Sequence, residues 1–402
     1  ETLINTTTAP VNVTYEYILI ANGCTSLSSY NVVVAVNPIP SLTSTLTPPD
    51  ICSNTVFSYT PVSSTAGTAF GWTRAVVAGI SNPAGSGTGN PNETLINTTT
   101  AAINVTYVFT LTAGGCSSTY NVVVSVNPIP GLSSSLSPPD ICSNTLFTYS
   151  ATSGTTGTNF TWTRAVVAGI SNAAGSGTGN INETLINTSA AAVTVTYVYT
   201  LTADGCTNIQ NVVVTVNPSP VLTSTLTPAA ICSNTVFSYT PTSGTTGTTF
   251  AWTRALVAGI SNPASSGSGD INETLINTTA APIAVTYVYS LSANGCTNTS
   301  PYNVVVTVNP TPLLTSSLTP SAICSNTAFS YAPTSGTAGT TFNWTRAAVA
   351  GISNAAASGT GNPNETLINT TTDPVNVTYV YSLTANGCNS ATYNVVVTVN
   401  PI

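Results

Sequence analysis

VTYVFTLTAGGCSSTYNVVVSVNP, residues 105–128, alternates with a period of two on both sides of a glycine pair. Val105, Tyr107, Phe109 and Leu111 share one face, and Thr106, Val108, Thr110 and Thr112 share the other. An earlier copy, VTYEYILI at residues 13–20, puts Glu16 where Val108 stands, which marks that second face as the wet one. The following run buries Val122, Val124 and Val126 by the same rule. Working outward, TVFSYTP offers Phe57 and Tyr59 to the interior, and AFGWTR offers Phe70 and Trp72. ETLIN, from Glu93, reads as a short strand, and the Thr-rich SLTSTLT at residues 41–47 as an edge-like first one. NPAGSGTGNPN, residues 82–92, reads as a loop. No period of 3.6 occurs, so the chain is expected to be all-β, an immunoglobulin-like sandwich of about 90 residues.

That unit recurs. ICSN starts at Ile51, Ile141, Ile231 and Ile323, and the Trp of WTR falls at Trp72, Trp162, Trp252 and Trp344, each expected in a core. The Pro of VNP stands at Pro38, Pro128, Pro218, Pro310 and Pro401. The expected division is therefore the C-terminal part of a preceding repeat at 1–38, then repeats at 39–128, 129–218, 219–310 and 311–402. Glu1 lies in mid-repeat, so the sequence is expected to be a window on a longer polypeptide. From the Cys of GC to the Asn of NVVV the spacing is 7, 5, 5, 7 and 6 residues, whereas the Cys of ICSN to the Cys of GC is always 64. Insertions tolerated only there predict a hairpin tip between the last two strands. The linkers NPIP, NPIP, NPSP and NPTP carry two prolines each, which fixes an extended, stiff connection between abutting neighbours.

Charged residues are 4% of the chain, with four Arg against eleven acids and no His, Lys or Met. The basic footprint of a nucleic-acid partner is missing. A pH switch near neutrality would need His. Every apolar run is interrupted well short of the ~20 residues that a membrane-spanning helix requires. Weak mutual repulsion favours lateral self-association into fibres.

Each repeat holds one Arg and a Glu nineteen residues later: Arg74 and Glu93, Arg164 and Glu183, Arg254 and Glu273, Arg346 and Glu365. Glycosidase chemistry wants two facing carboxylates, so a structural ion pair of small energetic weight is the expectation. GSGTG lacks the phosphate-binding lysine, and the His and paired Cys of zinc sites are missing. Neither a cofactor nor a metal is expected, and no catalytic residue.

Taken together, ICSNTVFSYTPTS, FAWTRALVAGISNPA, NETLINTT, VTYVYSLSANGC and NVVVTVNP cover the repeat, and as a run they resemble the PKD-like repeats of very long surface adhesins of gliding and biofilm-forming Bacteroidetes-type bacteria. WTRA stands where ordinary PKD domains carry a WDFGDG-type turn. The resemblance implies a tandem array of Ig-like (PKD-like) β-sandwich domains with an extracellular, cell-surface-attached location. It implies a part in adhesion or in spacing an adhesive tip, here as a stiff stalk or fibre shaft of an adhesin or filament; neighbouring repeats are the expected partners and a surface polysaccharide is a candidate one, since the resemblance identifies no ligand. The alternative is a set of polysaccharide- or partner-binding modules of a secreted protein.

The nine Cys keep a fixed register, two to a repeat, and an extracellular setting favours disulfides. In an immunoglobulin-like sandwich the second strand begins at the C-terminal pole, and the penultimate strand ends at the opposite one. Strands of ~7 residues at ~3.3 Å each hold those Cys over ~20 Å apart, against the ~7 Å between Cα atoms that a disulfide allows. Bridges between neighbours follow: Cys52 with Cys206, Cys142 with Cys296, and Cys232 with Cys388, leaving Cys24, Cys116 and Cys324 without partners in the sequence. A bridge inside one repeat, Cys52 with Cys116, stays open as the alternative.

Overall fold

The computed structural model describes residues 1–402, and every regular element in it is a strand. The chain divides into two compact units, Glu1–Ile186 with Thr194–Val216, and Asn187–Val193 with Asn217–Ile402; each is described by itself.

In residues 39–128 of the first unit the strands are β1 (Ile51–Cys52), β2 (Thr55–Phe57), β3 (Ala69–Arg74), β4 (Gly85–Thr88), β5 (Glu93–Leu95), β6 (Ile103–Ala113) and β7 (Cys116–Asn127). One sheet has the order β1-β7-β6-β3-β4, and β2 and β5 form the other. β1 runs parallel to the end of β7, with Cys52 opposite Asn127; the remaining pairs are antiparallel. Asn54 of ICSN takes a left-handed conformation (φ 63°) and turns the chain from the first sheet into the second.

The alternation works as the period requires: Val105, Tyr107, Phe109, Leu111, Val122, Val124 and Val126 have no exposed surface. Their large side chains meet Phe57, Tyr59 and Trp72 in one core, at ~1.5–3 kcal/mol for each fully buried side chain. Phe57 lies 4.9 Å from Tyr107 between ring centroids, and Trp72 meets Tyr107 edge-on at 5.5 Å. The same cluster recurs in the second unit around Trp252 and Trp344. Residues 1–38 hold a ribbon of Val11–Tyr17 against Tyr30–Val36.

Three expectations need correction. SLTSTLT forms only a lone bridge between Leu42 and Ser63, because its hydroxyls compete for the backbone: Thr45 Oγ1 bonds within its own segment to Thr47. GSGT is a strand rather than a loop, paired along Thr73, Trp72 and Gly71 of β3. A Cβ on Gly87 would come within 2.9 Å of the Trp72 indole, so glycine is what lets this strand close over the ring. The hairpin tip is the Gly114-Gly115 pair, with φ of 56° and 84°, the signs that a two-residue type I′ turn demands. The length-variable segment follows that tip. With a spacing of 5 the last strand is unbroken, as in Cys116–Asn127 and Cys206–Asn217. With 6 or 7 it parts into Cys388–Asn389 and Tyr393–Asn400, or Cys296–Thr297 and Tyr302–Asn309. The extra residues bulge out of the strand and leave the turn itself unchanged.

Candidate functional site

Two polar clusters recur along the chain. The first spans the sandwich. Arg74 leaves β3 in one sheet and Glu93 leaves β5 in the other. The guanidinium grips the carboxylate with both arms, Nε to Oε2 at 2.8 Å and Nη2 to Oε1 at 2.9 Å. Nη2 also donates to the Pro83 carbonyl at 2.6 Å, and Nη1 to that of Ala75 at 3.3 Å. Tyr107 of β6 donates its hydroxyl to Glu93 Oε2 at 2.7 Å. Arg164–Glu183, Arg254–Glu273 and Arg346–Glu365 repeat the pair at 2.8–2.9 Å. In the second unit the guanidinium also lies over the tyrosine ring, 6.0 Å from Tyr287 and 5.9 Å from Tyr379.

The expectation of a weak surface pair is corrected here: the four Arg side chains are 1% exposed and the Glu side chains 17–20%. Arg74 hydrogen bonds hold the Glu93 carboxyl below its ordinary value, against the opposing pull of burial. Burial, then the Glu93 bond, pushes the Tyr107 hydroxyl far up. Both carboxylate oxygens are occupied, so neither a nucleophile nor a general base is left over. The cluster fastens sheet to sheet. Beside it, Trp72, Trp162, Trp252 and Trp344 are 6–7% exposed, and their indole N–H groups lie buried without an acceptor. No group of three or more His, Cys, Asp or Glu side chains that would suit a metal ion occurs.

The second cluster joins repeats within each unit. Cys52, beside the exit of β7, is bonded to Cys206, which opens the last strand of the next repeat, with Cα atoms 5.6 Å apart. Cys232 and Cys388 are bonded in the same way in the second unit, also at 5.6 Å. Cys142 and Cys296 are each in a disulfide as well, while Cys24, Cys116 and Cys324 are free thiols. The internal alternative, Cys52 to Cys116, is not what the structure contains.

Alongside the bridges runs a side-chain clamp that sequence reasoning missed, and it is also present at the first junction, where Cys116 is a free thiol. The Asn of VNP donates Nδ2 to the carbonyl of the first turn residue of the next hairpin: Asn37 to Gly114 at 2.6 Å, Asn127 to Asp204 at 3.1 Å, Asn309 to Asn386 at 3.0 Å. The prolines of all four linkers are buried, and Ser118 Oγ donates to the Pro40 carbonyl. Asn208 Nδ2 donates likewise to the Pro130 carbonyl at 2.9 Å, so both linkers of the first unit are packed into their junctions.

Behind the junction, Asn97 of ETLIN spends its whole amide. Nδ2 donates to the Ala101 and Val126 carbonyls, and Oδ1 accepts from the Thr99 backbone N–H and hydroxyl, all at 2.8 Å. Its backbone N–H donates to Ser53 of ICSN at 2.9 Å. The readable signal was a polar residue kept at fixed spacing inside apolar runs in every copy.

A family model described as PKD-like domain matches residues 49–130, 139–220, 229–312 and 321–402. No curated protein matches the chain. Among solved structures, three immunoglobulin domains of a titin variant are similar at 13% identity and a TM-score of 0.35, covering 67% of this chain and 98% of that one. The insect immune protein hemolin is similar at 10% and 0.25, covering 90% and 100%. Sidekick-1 immunoglobulin domains 1 to 4 are similar at 10% and 0.26, covering 90% and 98%.

Proposed function

From the premise that the chain belongs to the PKD-like domain family, as a tandem array of such domains, we propose that it is the structural shaft of an extracellular bacterial surface adhesin or filament. In this reading the domains end at residues 38, 128, 218, 310 and 402, and each added domain supplies reach. The junction carries the proposal: a disulfide, an amide clamp and buried linker prolines meet at one place, which is costly to maintain unless neighbours must not swing apart. Bridges of this kind persist in oxidising compartments, which supports an external location. The Arg–Glu–Tyr cluster is consumed within each sandwich, and the Trp and core Tyr side chains are buried rather than displayed for sugars. Both observations favour a structural role over the binding-module alternative.

Small-angle scattering and micrographs of the oxidised chain test the proposal. A shaft gives a rod whose length grows in proportion to the number of repeats. Beads wandering about bending necks would refute it, and retention of the chain by a polysaccharide array would favour the alternative.

A further inference from the structure

The bridges do more than fasten neighbours, because each encloses a whole stretch of sandwich in a covalent loop. Cys52–Cys206 closes a separation of 154 residues and Cys232–Cys388 one of 156. Tension applied to the two ends follows the shortest covalent route: residues 1–52, across one sulfur pair, 206–232, across the next, then 388–402. Residues 53–205 and 233–387, among them every Arg–Glu–Tyr cluster, lie off that route. We infer that the chain is a tension-bearing tether of fixed maximum length, in which pulling cannot draw out the residues enclosed by the bridges. Its use as a tether rests on the shaft reading above.

The middle of the route explains why one Cys sits where the last strand begins. Residues 206–232 open with Cys206–Asn217, a single strand of 12 residues, followed by the NPSP linker and then the short strand Ile231–Cys232. A strand already rises ~3.3 Å per residue, close to the limit of an extended chain. Load entering at Cys206 and leaving past Asn217 runs along an element with almost no slack. Its neighbour in the sheet, Val193–Ala203, lies inside the unloaded loop. Had each repeat closed its own bridge, as from Cys52 to Cys116, five stretches of chain rather than three would lie on the loaded route.

Single-molecule pulling on the full chain, held at its two ends, decides the matter. Roughly 90 residues lie on the covalent route, so the oxidised chain should stop extending near 340 Å at ~3.6 Å per residue. Once reduced, it should extend to about four times that length, releasing repeats in steps of roughly 300 Å. Steps of that size in the oxidised chain, or a contour well beyond 340 Å, would overturn the inference. If the reduced chain does not fold, the oxidised contour alone still decides. The double variant Cys52→Ser with Cys206→Ser should lengthen the oxidised contour by more than about 100 residues; an unchanged contour would also overturn it. A chain that holds the short contour yet scatters as freely jointed beads would sink the shaft reading and leave the length limit standing.

Discussion

At the scale of residues, the Arg–Glu–Tyr cluster sets the stability of each sandwich. Removing one partner strands the other in the interior, so Glu93→Ala should destabilise its repeat by ~3–5 kcal/mol, whereas replacing both Arg74 and Glu93 with apolar side chains of similar volume should cost far less. Calorimetry of the intact chain would show one of several transitions shifting down for the first variant; equal losses for the two would contradict the reading. The same cluster fixes the pH range. A carboxyl whose folded pKa is lowered adds stability above its unfolded value of 4.5, and that stability is lost as pH falls through the folded value. A tyrosine whose folded pKa is raised adds stability below its unfolded value of 10.0, lost as pH rises through the folded one. With no His to titrate in between, the melting temperature should stay level from about pH 5 to about pH 9 and fall on either side. A step near neutrality would show that some other group matters. Gly267→Ala tests the close approach: its Cβ would sit 2.7 Å from the Trp252 ring, which predicts a loss of ~1–3 kcal/mol.

At the scale of elements, alternation made the two long strands legible, since every second residue from Val105 to Leu111 and from Val122 to Val126 is apolar. GSGT escaped because glycine and serine have little preference for strands; only the indole beneath dictates its pairing, and that is a tertiary contact. SLTSTLT misled in the opposite sense, offering β-favouring threonines whose hydroxyls turn back on their own backbone. The register of Arg and Glu was visible as a spacing of nineteen residues, but its burial was not, since a sequence does not say that two sheets close over the pair. Length variation located a tolerant segment correctly and assigned it to the wrong side of the turn. Removing two residues between Cys296 and Asn303 would restore the spacing of Cys116 and Asn121. Hydrogen exchange should then report one unbroken strand there, with stability altered by less than ~1 kcal/mol. A larger loss would mean that the bulge has a structural duty.

At the scale of the whole molecule, covalent and non-covalent fastening act at the same junctions. Each loop of about 150 residues is worth ~5 kcal/mol in the chain-entropy account of disulfides. Mild reduction should therefore lower the melting temperature while the sandwiches keep their strand content by circular dichroism; collapse to an unfolded spectrum at room temperature would show that the repeats do not stand alone. The Asn clamp has a different consequence. It reads a backbone carbonyl, and the residue supplying that carbonyl is Gly114, Asp204 or Asn386 without distinction. Any copy can therefore follow any other. Parts that mate through a standard fitting can be duplicated, deleted or exchanged by recombination without redesigning the joint, so a lineage can tune copy number, and with it length, at no cost to the individual parts.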